Sequence, residues 1–369
     1  MSKVNPPFRA DQVGSLMRPR AVLQARQDAA IGKITAAELR HIEDEHIAAA
    51  VKKQEAVGLQ GITDGEFRRA FFHLDFLEQL AGVTVTGAIE ASSDAQEKVG
   101  FTPPKLSVTG KLRHVKNIQV DDFNFLKAQV SRTPKVAIPS PTMVHFRGGR
   151  AAIDIESYPD MDQFFEDLAQ CYRDEIGALY AAGCRYIQMD DTNLAYLCDP
   201  KMRQGAVERG DDPNDLPRTY AELINAVVDN RPDDLTICVH LCRGNFRSTW
   251  FAEGSYEPVA EVLFNELNVD GYFLEYDDVR SGGFEPLRFV PNNKTVVLGL
   301  VSTKVSQLEE QRELISRIQD ASQYVPLERL CLSPQCGFSS TLHGNEITED
   351  DQWRKLELVV NTAQQVWGS

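Results

Sequence analysis

The chain has 369 residues, 42% hydrophobic and 25% charged, which is enough apolar content for a large core and argues against wholesale disorder. A net charge of −15 argues against electrostatic capture of nucleic acid or an anionic membrane surface, so the expected partner is a small molecule. The opening MSKVNPPFRADQVGS has no apolar leader core and no run approaches the about 18 apolar residues of a membrane span, which predicts a cytoplasmic protein.

In chain order, the first short apolar run is DQVGS (11–15), followed by a helix over 35–58. Thr35 and Glu38 there have capping-box spacing, and Gly58 supplies the stop. GITDGE (61–66) is the second run. Residues 83–133 break the pattern: GVTVTGAI and KLSVTGKLRHV alternate as exposed strands do, around EASSDAQEKVGFTPP as a loop. They predict an inserted hairpin after the second strand, overhanging the active site if it leaves from the C-terminal side. KVAIPSP, a helix over 160–183 closed by Gly183, and RYIQMDD come next. A helix over 217–229, TICVHLC, a helix over 256–267, GYFLEYDD, TVVLGLV, a helix over 305–321, RLCLSPQC and a terminal helix over 348–367 complete the chain.

The eight runs lack alternation, so each reads as a strand buried on both faces, and strands separated by helices imply right-handed parallel crossovers. The predicted fold is α/β, a (β/α)8 TIM barrel forming one catalytic domain over 1–369 with the 83–133 insertion. Such a barrel gathers its C-terminal strand ends around one mouth. Those ends carry Ser15, Glu66, Asp190, Asp191, His240, Cys242, Glu275 and Cys336.

His240, Cys242, Glu275 and Cys336 form a nitrogen, sulfur and oxygen set of the kind Zn2+ accepts, and the thiolates disfavour magnesium and calcium. His240 and Cys242 are two apart on a strand and so face the same way. A bare H-x-C is a weak signal, because buried histidine and cysteine commonly just pack; Cys336 at another strand end strengthens it. Zinc with two thiolates suits holding an incoming thiol as a nucleophile better than acidifying water, which points to alkyl transfer. The competing reading is a closed structural zinc with Glu275 as a fixed fourth ligand. The seven cysteines are odd in number and widely spaced, so they read as reduced thiols, with Cys171, Cys184, Cys198, Cys238 and Cys331 as core residues. Asp190 and Glu66 could receive a substrate ammonium, and Ser15 with the amides around Gly14 a carboxylate; alternatively Asp190 and Asp191 cap a helix or pair with arginine.

QVGS, DGEFRR, IQMDD, HLC, the Glu ending YFLE, and SPQCG, in this order, resemble the C-terminal catalytic barrel of cobalamin-independent methionine synthase. The resemblance implies a zinc-dependent, cytoplasmic methyltransferase of methionine biosynthesis. Zinc would be held by His240, Cys242, Glu275 and Cys336. Homocysteine would be held by Ser15, Glu66, Asp190 and the backbone of Val13 and Gly14, and its methyl group would come from 5-methyltetrahydrofolate. Full-length members carry a second, N-terminal barrel, so a 369-residue chain reads as the short, single-barrel branch. Three departures fall on the donor side: Phe146 stands for the folate-stacking Trp, Tyr196 for a Glu, and Lys304 for the proton-donating His. A lysine there needs a lowered pKa to act as acid. A non-folate electrophile is therefore the runner-up, since a related single-barrel enzyme opens epoxides with a thiolate. A homo-oligomer is compatible with the sequence. A metallohydrolase or a metal-free decarboxylase on the same barrel fits less well, because the first run offers only DQVGS and the second reading leaves both cysteines unexplained.

Overall fold

The structure, a computed structural model, describes residues 5–88 and 104–368. Its strands are β1 (Gly61–Ile62), β2 (Ala81–Ala88), β3 (Pro104–Arg113), β4 (Thr133–Pro134), β5 (Val136–Pro139), β6 (Tyr186–Asp191), β7 (Thr236–Leu241), β8 (Gly271–Glu275), β9 (Thr295–Val301) and β10 (Leu330–Pro334). β5 to β10 pair in parallel in the order β10-β9-β8-β7-β6-β5, and every residue of β5, β6, β8 and β10 is buried. Continuous apolar runs are what two-sided burial between a barrel interior and a helical ring requires.

The remaining arc closes through short segments. Ala10 bridges Leu332 of β10, Leu16 N donates to Gly65 O (3.0 Å), and β1 pairs with β4, which runs on into β5. The fold is thus the (β/α)8 barrel that the eight runs predict, although the first run forms no regular strand. There the Asp11 carboxylate accepts from Phe8 N and Gln12 N, at 2.9 and 2.8 Å. Such local side-chain bonds compete with a strand ladder. Asp11 also accepts from Tyr186 Oη (2.7 Å) and pairs with Lys135 Nζ (3.1 Å), both ions fully buried in the barrel interior beside Phe273.

The helices follow their end signals. Helix Ala36–Val57 starts on the reciprocal Thr35–Glu38 capping box and ends at left-handed Gly58 (φ 113°), where a side chain would strike Val360. Asp160 caps helix Met161–Ala181, and Thr348 with Asp351 caps helix Glu349–Trp367. The helix predicted over 305–321 begins only at Gln311. No helix among the described residues is long and apolar enough to cross a membrane.

Within 83–133 the hairpin is real: β2 and β3 pair antiparallel. The segment also contains helix Val120–Gln129, missed in the sequence, which buries Phe123 and Leu126 and serves as the barrel's crossover before β4. Residues 90–103 of the stretch read as a loop lie outside the described residues. The hairpin packs sideways, with Leu112 N donating to Tyr158 Oη (2.7 Å) and Val108 bridging Ile153. None of its described residues lines the central cavity.

Candidate active site

His240 lies on β7, and Cys242 follows it with its N–H donating to Asp191 O (2.8 Å), which keeps that residue extended and both side chains on one face. Glu275 ends β8, and Cys336 comes two residues after β10. One ligand atom from each of these four lies within 4.8 Å of the others, and all four residues are buried. Cys242 Sγ and Cys336 Sγ are 3.4 Å apart. Neither ring nitrogen of His240 has a hydrogen-bond partner. Buried polar atoms left unpaired are costly, so this set fits a metal ion better than it fits an empty core.

The ligand set is braced from outside. Glu275 Oε1 accepts from Arg243 N (3.1 Å), and Glu275 Oε2 faces Arg280 Nη2 at 3.3 Å; Arg280 also reaches Asp277 (2.6 Å). Asn245 Nδ2 donates to Gly337 O (2.8 Å), tying the segment after Cys242 to the one after Cys336. The hydrogen bond from Cys242, with His240 beside it, holds the Cys336 thiol well below the ordinary thiol range.

A cavity of about 220 Å³ opens above this cluster. Val13, Ser15, Glu66, Asp190, His240, Cys242, Cys336 and Phe146 all line it, whereas Gly14, Glu275 and Lys304 do not. Gly14 (φ 149°) lies under Glu66, whose Oε1 would be 3.1 Å from any Cβ there, and Gly337 leaves room for the Ser15 hydroxyl, which accepts from Ser339 N. Burial pushes the Glu66 carboxyl up to about 7, with Arg69 opposing and Asp190 adding. Burial likewise lifts Asp190 to about 6 against the pull of His240. Asp191 turns away from the cavity and accepts from Leu194 N (2.8 Å), the helix-capping role.

Lys304 is buried, and its Nζ donates to Gly244 O and Asn245 Oδ1 at 3.2 Å and to Thr249 O at 3.5 Å. Its ammonium is therefore committed to the loop after Cys242, not directed into the cavity where the sequence reading expects a proton donor. Tyr196 lines the cavity with its ring 5.9 Å from that of Phe146. The sequence reading missed Gln188, whose Nε2 orients Asp190 (2.7 Å) and also binds Val13 O. It missed the wall residues Phe71, Phe72, His73, Arg147, Arg209 and Asn245 as well. The aromatic run AFFH after DGEFRR was the available signal for three of them; isolated arginines gave none.

Comparison with known proteins agrees with this geometry. The family described as "Cobalamin-independent synthase, Catalytic domain" matches residues 8–365. The uncharacterized protein YxjH of Bacillus subtilis is 47% identical over 98% of this chain and 95% of its own length. The methionine synthase of Pyrococcus horikoshii is 23% identical over 88% of this chain and 84% of its own. A crystal structure described as a putative vitamin-B12 independent methionine synthase from Listeria monocytogenes superposes with a TM-score of 0.79 at 38% identity, covering 100% of both chains. The chain thus belongs to the cobalamin-independent synthase catalytic-domain family.

Proposed function

We propose that the protein is a zinc-dependent thiol alkyltransferase that methylates homocysteine to methionine. The observation that carries this reading is the convergence of His240, Cys242, Glu275 and Cys336 within 4.8 Å, the first two and Cys336 lining a cavity. These four side chains would hold the ion. Zinc held there would supply a Lewis acid that favours the ionised form of the acceptor's thiol at neutral pH. Glu66 and Asp190 face the same cavity and offer negative charge to the acceptor's ammonium group. Ser15 and Val13 line the same cavity and are the candidates to receive its carboxylate, through the hydroxyl and backbone N–H groups; Gly14 lies behind Glu66. Gln188 fixes Asp190 in place.

On the donor side, Phe146 and Tyr196 supply aromatic faces for a flat donor such as 5-methyltetrahydrofolate. A second reading keeps the acceptor and changes the electrophile to an epoxide or another methyl donor. It is favoured by one observation: Lys304 is bound to three loop acceptors and so is poorly placed to protonate a folate nitrogen. The decisive experiment measures zinc content, the change in metal environment on adding homocysteine, and product formation with a panel of methyl donors. His240→Ala and Cys336→Ser should lose zinc and turnover while keeping their far-ultraviolet circular dichroism. Turnover retained in zinc-free protein refutes the proposal.

A further inference from the structure

The cavity is lined by one histidine that the proposed function leaves unused. His73 is only 7% exposed, lines the cavity, and its buried Nδ1 has no hydrogen-bond partner. Its ring is fixed by Phe72, with centroids 4.5 Å apart, and meets Phe71 edge-on at 6.5 Å. The segment carrying it is pinned to the chain that follows Cys336: Phe72 N donates to Ser340 O (3.0 Å) and Leu342 N to Ala70 O (2.7 Å). Ser340 Oγ in turn lies 3.8 Å from Cys336 Sγ. The imidazole thus lines the same cavity as Cys242 and Cys336, on a segment tied to the chain that follows Cys336.

Alkyl transfer to sulfur deposits an electron pair on the atom the carbon leaves, and a donor waiting there lowers the barrier. Two donors on or beside the segment that follows Cys242 are already engaged. Asn245 Nδ2 binds Gly337 O, and the Lys304 ammonium is spent on the 244–249 segment. We propose that His73 donates the hydrogen bond that stabilises the leaving atom of the electrophile. This rests on the thiol-alkyltransferase reading and adds to it a residue of this chain that the family resemblance does not point to.

In the step, the S–C bond forms as the bond from carbon to the leaving atom breaks, and the electron pair stays on the leaving atom. The His73 N–H holds that charge until water supplies the neutralising proton. Burial, with the Arg147 guanidinium nearby, keeps the ring well below the ordinary histidine range, so it is neutral and carries one N–H. A neutral imidazole can act in this way as an electrophile without itself being an acid.

The test uses the zinc-loaded protein with homocysteine and two simple electrophiles. Iodide leaves methyl iodide as a stable anion and needs no donor, whereas ring opening of propylene oxide leaves an alkoxide that does. His73→Phe keeps a ring against Phe72 and removes the N–H. It should slow propylene oxide opening on the order of 10²-fold and leave methyl iodide alkylation at the wild-type rate, with His73→Asn recovering part of the loss. Equal slowing of both reactions, or of neither, overturns the proposal. Thiol capture is read separately from the visible spectrum of Co2+-substituted protein on adding homocysteine. A missing capture signal in wild-type protein sinks the thiol-site reading and His73 with it. A normal signal with equal losses on both electrophiles sinks His73 alone.

Discussion

Cys242 Sγ lies 3.4 Å from Cys336 Sγ across 94 positions of sequence. Their segments are held together by Asn245 reaching Gly337 O, a carbonyl that Thr303 Oγ1 also donates to at 3.1 Å. Two thiols at this separation without a disulfide form half of the candidate ligand set, and what braces such a set governs how well an ion would be held.

Arg280 is the brace for Glu275, with its guanidinium 3.3 Å from Oε2 and its side chain only 4% exposed. Arg280→Met should weaken zinc affinity by roughly 10- to 100-fold, the usual effect of losing an outer partner of a ligand. Competition with a chelator of known affinity measures it, and an unchanged constant removes Arg280 from the centre.

Glu66 predicts a pH dependence. Its folded-state carboxyl, near 7, lies above the ordinary 4.5, so the ligand-free fold keeps a proton that the unfolded chain releases. This group's contribution is fully present below pH 4.5 and is lost as pH rises through 7. Glu66→Gln should therefore gain in melting temperature relative to wild type as pH is raised from 5 to about 8. Conversely, wild-type affinity for the amino acid should improve over that range, because only the ionised carboxylate pairs with ammonium, and the variant should bind weakly throughout. Calorimetric titration with methionine decides; a wild-type affinity flat in pH contradicts the assignment.

The three bonds of Lys304 Nζ to the 244–249 segment lead us to expect a positioning role. Lys304→Met leaves the buried acceptors Gly244 O and Asn245 Oδ1 without this partner, each at a cost of about 1–3 kcal/mol, whereas Thr249 O keeps Phe246 N. Lower thermal stability and faster proteolytic cleavage within 243–251 should result. A proton-delivering role would instead move one limb of the pH–rate profile, which the positioning role leaves in place.

The buried Asp11–Lys135 pair supports the barrel floor, both side chains being 0% exposed. Lys135→Met strands a carboxylate in the interior and should destabilise the fold by about 3–5 kcal/mol. The double variant Asp11→Asn, Lys135→Met should recover much of that loss in urea denaturation. A near-neutral single variant would show that the pair carries little of the barrel's stability.

The chain alone shows the order of the main strands and of several helices, the Thr35–Glu38 capping box, and which residues end the strands, though helices Arg20–Ala30 and Pro200–Glu208 went unread. Two-sided burial writes itself as an unbroken apolar run, helix ends demand local partners, and barrel topology turns strand ends into neighbours. It did not disclose helix Val120–Gln129, hidden behind a hairpin whose alternation dominates the segment, nor the loss of regular strand structure around Asp11. Only the tertiary structure decided that Lys304 grips a loop, that Gln188 orients Asp190, and that His73 stands on the cavity wall. Such orientations depend on partners 2 to 60 positions away in sequence or more, from Gln188–Asp190 to Lys304–Gly244, and the rotamer that satisfies them leaves no periodic trace in the chain.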